Sequence, residues 1–184
     1  MVNMVVWCFA GILGYELTMK LYVKYVFFVL MFLNIHASAG TTYLIRHAEK
    51  DLDGSKDPSL TIQGHQRAQN IAHLLSKAKI TRIFSSNYKR TLQTAAPLAK
   101  ITGVQVELYD PRKLKEFAAQ LKEFDTNVLV VGHSNTTPYL TELLSGEKVE
   151  PIDDSEYDNI YQLVFDGGYT VLHRFQSSNG SALK

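Results

Sequence analysis

The run Asn127-Val128-Leu129-Val130-Val131-Gly132 most constrains what this chain can fold into. It is apolar without a break and rich in β-branched residues. A strand whose side chains are apolar in both directions must be covered on both faces, which calls for helices on either side of a sheet. The rest of the chain supplies them. Strands are expected at about Thr42 to Arg46, Arg82 to Ser85 and Val104 to Leu108, with helices between. The first helix runs from Thr61, a good N-cap, to about Ala78, with Ile71, Leu74, Leu75 and Ala78 at helical spacing. The second runs from Arg90 to Thr102 and stops at Gly103. Pro111 is expected to open a third through Phe124, and Pro138 a fourth that ends near Ser145-Gly146. The domain closes on a hairpin, Asn159–Phe165 and Tyr169–Phe175 around Asp166-Gly167-Gly168. Alternating strands and helices imply a mostly parallel α/β sheet, without internal repeats or a second domain.

Charge and cysteine content narrow the function. The 184 residues carry a formal net charge of +1, and no basic run suggests nucleic acid as partner. Cys8 is the one cysteine, which excludes an internal disulfide and a cysteine-based zinc site. Residues 1–39 read as a segment apart. From Met19 a short basic stretch leads into an uncharged run, Tyr25 to Ile35, and then Ala37-Ser38-Ala39, the pattern of a cleaved secretory signal. Met19 is then the expected true start and Gly40 the first mature residue. The alternative is an uncleaved anchor, although the run falls short of the roughly 20 residues that span a bilayer. Either way residues 40–184 are expected outside the cytoplasm, exported to a periplasm or secreted, with contact to a membrane only through residues 1–39. Their lack of cysteine is compatible with export. The Ser/Asn/Gly tail after Gln176 is expected to be disordered.

The chemistry gathers at strand ends. The first strand stops in Arg46-His47, the run at 127–131 stops in Gly132-His133, and Ser85-Ser86-Asn87-Tyr88-Lys89-Arg90 turns from a strand into a helix. Ligands of open α/β sheets bind beyond the carboxyl ends of the strands. Two histidines and two arginines converging there suit a dianionic phosphate group. Taken singly, a histidine at a strand end is more often structural, and an arginine usually ends in a surface ion pair.

Four motifs in order, Leu44-Ile45-Arg46-His47-Ala48-Glu49-Lys50, Leu60-Thr61-Ile62-Gln63-Gly64, Ser85 to Thr91 with Thr94-Ala95, and Val131-Gly132-His133-Ser134, resemble the histidine phosphatases, the phosphoglycerate-mutase-like superfamily. The resemblance covers about residues 41–140. It implies a three-layer α/β/α sandwich over residues 40–184 and a phosphohydrolase that cleaves phosphomonoesters through a phosphohistidine on His47, without metal or cofactor. An imidazole nitrogen attacks phosphorus only while unprotonated, so the other ring nitrogen is expected to donate to a backbone carbonyl. Arg46 and Arg90 would hold the non-bridging oxygens, and His133 would contact them as a cation. Gly132 would permit close backbone approach, and Asn135 would either touch the phosphate or cap the following helix. Asp110, on the loop after the third strand, and Glu49, two residues past the nucleophile, are the candidate acids for the leaving group. With neither in place, substrates with good leaving groups such as phosphoramidates or acyl phosphates would be favoured. Partners are then a small phosphorylated substrate or a phosphoprotein. The rival readings are a phosphohistidine-protein phosphatase, a phosphomutase, and a binding module that captures phosphorylated ligands without turnover.

Some features read as bland. Asp51, Asp53 and Asp57 lie among turn residues without metal-ligand spacing. His65, His73 and His173 are expected outside the site and Lys89 in solvent. The stretch from Glu147 to Asp158 reads as an exposed acidic connection. Specificity would reside in loops 51–59, 108–113 and 147–157, the last of them mildly repelling highly anionic substrates.

Overall fold

The computed structural model describes residues 40–166 and 168–177, together with Tyr22, Lys24 and Tyr25. Apart from those three residues, the expected signal or anchor lies outside the described residues, as do the alternative start at Met19 and the tail beyond Ser177. Among the described residues no helix is long and apolar enough to cross a membrane.

The elements are β1 (Thr41–Arg46), α1 (Ile62–Leu75), β2 (Ile80–Ser85), α2 (Lys89–Thr102), β3 (Val106–Leu108), α3 (Leu114–Lys122), β4 (Asn127–Gly132), α4 (Thr136–Ser145), β5 (Asn159–Asp166) and β6 (Tyr169–Gln176). They form one six-stranded sheet in the order β3-β2-β4-β1-β5-β6. The first four strands in sequence run parallel, whereas β5 pairs antiparallel with β1 and β6 antiparallel with β5. The apolar run at 127–132 is the central strand, flanked by β1 and β2, as its double-sided apolarity requires.

Because side chains alternate along a strand, β1 and β4 feed two separate cores. Ile45, Leu129 and Val131 face α1 and α2, packing with Ile71, Leu75 and Leu98. Leu44, Val128 and Val130 face the opposite layer, with Phe117, Leu121, Leu140 and Leu144 of α3 and α4. The three-layer α/β/α arrangement follows directly from these two apolar faces.

Several boundaries differ from the sequence reading. Thr61 caps α1 as expected, accepting from the Gly64 amide at 3.0 Å, but the helix ends at Leu75. Pro111 does not open α3. The Asp110 carboxylate binds the Arg112 amide at 3.0 Å and closes an Asx turn, so the helix begins only at Leu114. Pro138 lies inside the first turn of α4, whose N-cap position is Asn135. The stretch from Glu147 to Asp158 is no mere exposed connection: Val149 and Ile152 are buried in the core beside α4. Ser177 is buried and receives the Arg67 guanidinium on its hydroxyl at 3.1 Å, so it is held rather than part of a loose tail.

Gly64 fits for lack of space. A Cβ there would overlap the Glu49 carbonyl oxygen, against which the first turn of α1 is pressed. That contact locks the loop after β1, and hence His47, onto the helix layer.

Candidate active site

The hydrogen-bond ladder brings three strand ends to one level. Arg46 pairs in register with Gly132, and Ser85 with Val131. The ladder continues one step further, since the His47 amide donates to the Gly132 carbonyl at 2.9 Å and the Ser86 amide to the Val131 carbonyl at 3.4 Å. His47, His133 and the turn that carries Arg90 therefore surround one cavity of about 390 Å³, which both histidines and both arginines line.

His47 is 3% exposed, and its Nδ1 lies 2.8 Å from the Ala48 carbonyl oxygen. A carbonyl only accepts, so Nδ1 carries the proton and Nε2 keeps its lone pair. Burial first, opposed by the Ala48 bond and reinforced by the charges of Arg46, His133 and Arg90, pushes the imidazole down to about 3. The ring is neutral at any physiological pH, as a nucleophile must be. An imidazole ¹⁵N titration is therefore expected to show His47 neutral and Nδ1-protonated from about pH 7 to about pH 5; a midpoint near 6.5, the ordinary value, would contradict this site. The unfolded chain takes up a proton on this ring between about pH 6.5 and about 3 where the folded chain does not, so stability falls as pH falls through that window.

Arg46 is buried too, at 3% exposure. Its Nη1 donates to the carbonyls of Asp153 and Glu156, both at 2.8 Å, and its guanidinium carbon lies 4.2 Å from the Tyr157 ring centre. Arg90 lies over the Tyr88 ring at 4.5 Å, and its Nη2 donates to His133 Nδ1 at 3.3 Å. Three guanidinium nitrogens shut off from solvent, Arg46 Nε, Arg90 Nε and Arg90 Nη1, have no hydrogen-bond partner among the described residues. The nearest anion to the last is Asp57 Oδ1, 3.5 Å away. Unpaired buried donors cost about 1–3 kcal/mol each, and a bound ion is one way to satisfy them. An oxyanion between the two arginines has the matching chemistry.

His133 receives from Arg90 on Nδ1, so its proton sits on Nε2, 2.8 Å from Ser86 Oγ. The Ser86 hydroxyl in turn lies 3.1 Å from that of Thr91. Burial first, then the charges of Arg90 and Arg46, lower the ring to about 4. A dianion at the cavity would work against that depression. No side chain caps α4; Thr136, its first residue, instead accepts from the His133 amide at 2.9 Å and ties the loop to the helix. Asn135 occupies the N-cap position with its side chain unused for capping, and lines the cavity. The N-terminus of α4 thus borders the cavity, where its dipole favours an anion. Gly132 is required by crowding, since a Cβ would stand 2.9 Å from the hydroxyls of both Thr136 and Thr137.

Neither expected acid is placed for the work. Glu49 is tied to the buried Arg67, with Oε1 receiving Nη2 at 2.6 Å and both oxygens 2.9 Å from Nε. It joins the loop after β1 to α1 and, through Arg67, to Ser177. Asp110 spends both oxygens on the Arg112 side chain, at 2.9 and 2.8 Å. Hydrogen bonds from that side chain, then from the Arg112 amide, hold it down at about 2, too acidic to carry a proton at neutral pH.

Ser86, Tyr88, Tyr157 and Asp154 contribute to the site without having been proposed for it, and so does Asp57, which reads in the sequence as a bland turn residue. Asp57 receives the Lys89 amide at 2.9 Å at the start of α2, beside Arg90. A turn aspartate followed by proline carries no sign that it will meet a helix more than 30 residues on. Among the described residues no cluster of His, Cys, Asp or Glu is arranged to hold a metal.

Residues 42–119 match the model of the histidine phosphatase superfamily, branch 1. The mixed six-stranded sheet with its four flanking helices has the α/β fold of solved histidine phosphatases and phosphoglycerate-mutase-like proteins. The probable phosphoglycerate mutase GpmB of Enterobacter sp. (strain 638) is 36% identical over 97 residues, covering 50% of this chain and 41% of that protein. The corresponding protein of Proteus mirabilis (strain HI4320) is 37% identical over 93 residues, 47% of this chain and 39% of its own length. The chain thus spans about two fifths of the length of these curated relatives. Among solved structures, the protein histidine phosphatase SixA complexed with tungstate superposes with a TM-score of 0.61 at 23% identity, over 76% of this chain and 97% of its own. A putative alpha-ribazole-5'-P phosphatase from Escherichia coli K-12 superposes with a TM-score of 0.64 at 19% identity, over 79% and 100%. These similarities concern the fold.

Proposed function

We propose that this chain is a phosphohydrolase that cleaves phosphomonoesters through a phosphohistidine on His47, without a metal ion. The observation that carries the reading is the Nδ1 bond to the Ala48 carbonyl, which leaves Nε2 free in a cavity bordered by Arg46, Arg90 and His133. The phosphoryl oxygens would lie between the two guanidiniums, whose fixed charge favours the spread of negative charge in the transition state. His47 Nε2 attacks phosphorus and the leaving oxygen departs. Water then attacks the phosphohistidine and releases inorganic phosphate. The arginines supply the charge that a metal supplies elsewhere. Export is part of the proposal, supported by the signal pattern from Met19 to Ala39 and the absence of cysteine from residues 40–184.

A second reading, hydrolysis of phosphohistidine on a partner protein, is favoured by the engagement of Asp110 and Glu49 elsewhere, because a phosphoramidate nitrogen needs less help to leave. The test is phosphate release from p-nitrophenyl phosphate by the full-length chain with a chelator in excess. Undiminished turnover supports the proposal. Activity lost to the chelator and restored by a divalent cation would contradict its metal-free step. Binding of inorganic phosphate without turnover of any aryl or acyl phosphate would favour the binding module.

A further inference from the structure

The geometry points to Asp154 as the acid that protonates the leaving oxygen, an assignment that rests on the phosphohydrolase reading above. Asp154 is the sole carboxylate among the described residues that line the cavity shared by His47, Arg46, Arg90 and His133. Its Oδ1 accepts from Ser134 Oγ at 3.3 Å and stands 3.4 Å from Arg46 Nη2. The side chain is 96% exposed, so it can turn toward a substrate without breaking a packed contact.

The backbone that carries Asp154 is held in place. Residues 153–156 form a turn closed by the Glu156 amide on the Asp153 carbonyl at 3.0 Å. The Asp153 carboxylate supports it from within, receiving the Ser155 amide at 2.9 Å and its hydroxyl at 2.6 Å. Arg46 Nη1 grips the carbonyls at both ends of the turn, Asp153 and Glu156. Ile152 anchors the approach in the core. One buried guanidinium therefore borders the phosphoryl position and fixes the turn that presents Asp154 beside it.

Charge explains how the acid is loaded. A phosphoryl dianion bound to Arg46 both draws on that guanidinium and sets a like charge next to Asp154, on a turn that already carries Asp153 and Glu156. Like charges brought this close favour a proton held between them. In the first step His47 Nε2 forms the bond to phosphorus, the bond from phosphorus to the ester oxygen breaks, and the Asp154 proton passes to that oxygen. The products are the alcohol, phosphohistidine and the Asp154 carboxylate. In the second step water attacks phosphorus, its proton returns to Asp154, and the bond to Nε2 breaks to give inorganic phosphate.

The test compares wild type, Asp154→Asn and Asp154→Ala, as full-length chains, on phosphate esters whose leaving groups run from dinitrophenol through phenol to a simple alcohol. An acid matters only where the leaving group is poor. Asp154→Asn is expected to lose about 10²–10³-fold in kcat/KM on phenyl and alkyl phosphates and no more than a few-fold on dinitrophenyl phosphate. A loss equal across the series would overturn the assignment, because it reports a structural role for the turn. Unchanged or improved turnover across the series would overturn it too, by showing that Asp154 merely competes for Arg46. Wild type that hydrolyses no member of the series would remove the phosphohydrolase reading itself, and the acid with it.

Discussion

On the proposed mechanism, replacement of His47 by alanine is expected to reduce turnover of an aryl phosphate by at least about 10⁴-fold, because the atom proposed to bond phosphorus is removed and no neighbour can take its place. His133 is the other imidazole at the cavity, with ring centres 5.4 Å apart, but both of its nitrogens are engaged, by Ser86 and Arg90. The fold should tolerate the change. The lost contacts are one hydrogen bond to the Ala48 carbonyl and the ring contacts with His133 and Tyr157, while the His47 amide still pairs with Gly132. The measurement is kcat/KM beside a thermal melt and an inorganic phosphate inhibition constant. A retained melt and retained phosphate inhibition with turnover gone would assign the loss to chemistry. Turnover within tenfold of wild type would contradict the role of His47.

Arg46→Ala is expected to cost about 10²–10³-fold in kcat/KM through lost stabilisation of phosphoryl charge, the scale seen when one preorganised donor is removed from a transition-state site. Inhibition by inorganic phosphate should weaken in parallel. Arg46→Lys should recover little of it. A lysine ammonium is a point charge without the planar fork that reaches both turn carbonyls while presenting another edge to a phosphoryl oxygen. Recovery to wild-type kcat/KM by lysine would show that charge alone matters, and would count against the turn-holding geometry.

How much of this was legible in the sequence differs from residue to residue. The strand at 127–132 announced itself through double-sided apolarity, and with it a sheet covered on both faces. The Arg46-His47 and Gly132-His133 endings showed which residues would stand at the strand ends, since a parallel sheet aligns the ends of its neighbouring strands. Helix starts were less legible where prolines suggested them. Pro111 and Pro138 are compatible with several positions near a helix start, and for α3 the side chain of Asp110, closing a turn on the Arg112 amide, decided where it begins. The partners of the acids could not be read. That Glu49 would meet Arg67, and Asp110 its neighbour Arg112, depends on how helix and loop pack. Likewise the acidic stretch at 147–158 gave its charge in sequence but not its docking through Val149 and Ile152, nor the turn that Arg46 holds. The Arg46 contacts join residues more than 100 positions apart, with no periodicity to disclose them.

The measurement closest to the central claim is rapid quench of the full-length chain with ³²P-labelled aryl phosphate, beside His47→Ala. Protein-bound phosphate that is labile to acid and stable to base, present in wild type and absent from His47→Ala, is the predicted result. Turnover by wild type with no such phosphate at any quench time, or the same phosphate on both proteins, would contradict a phosphohistidine at His47.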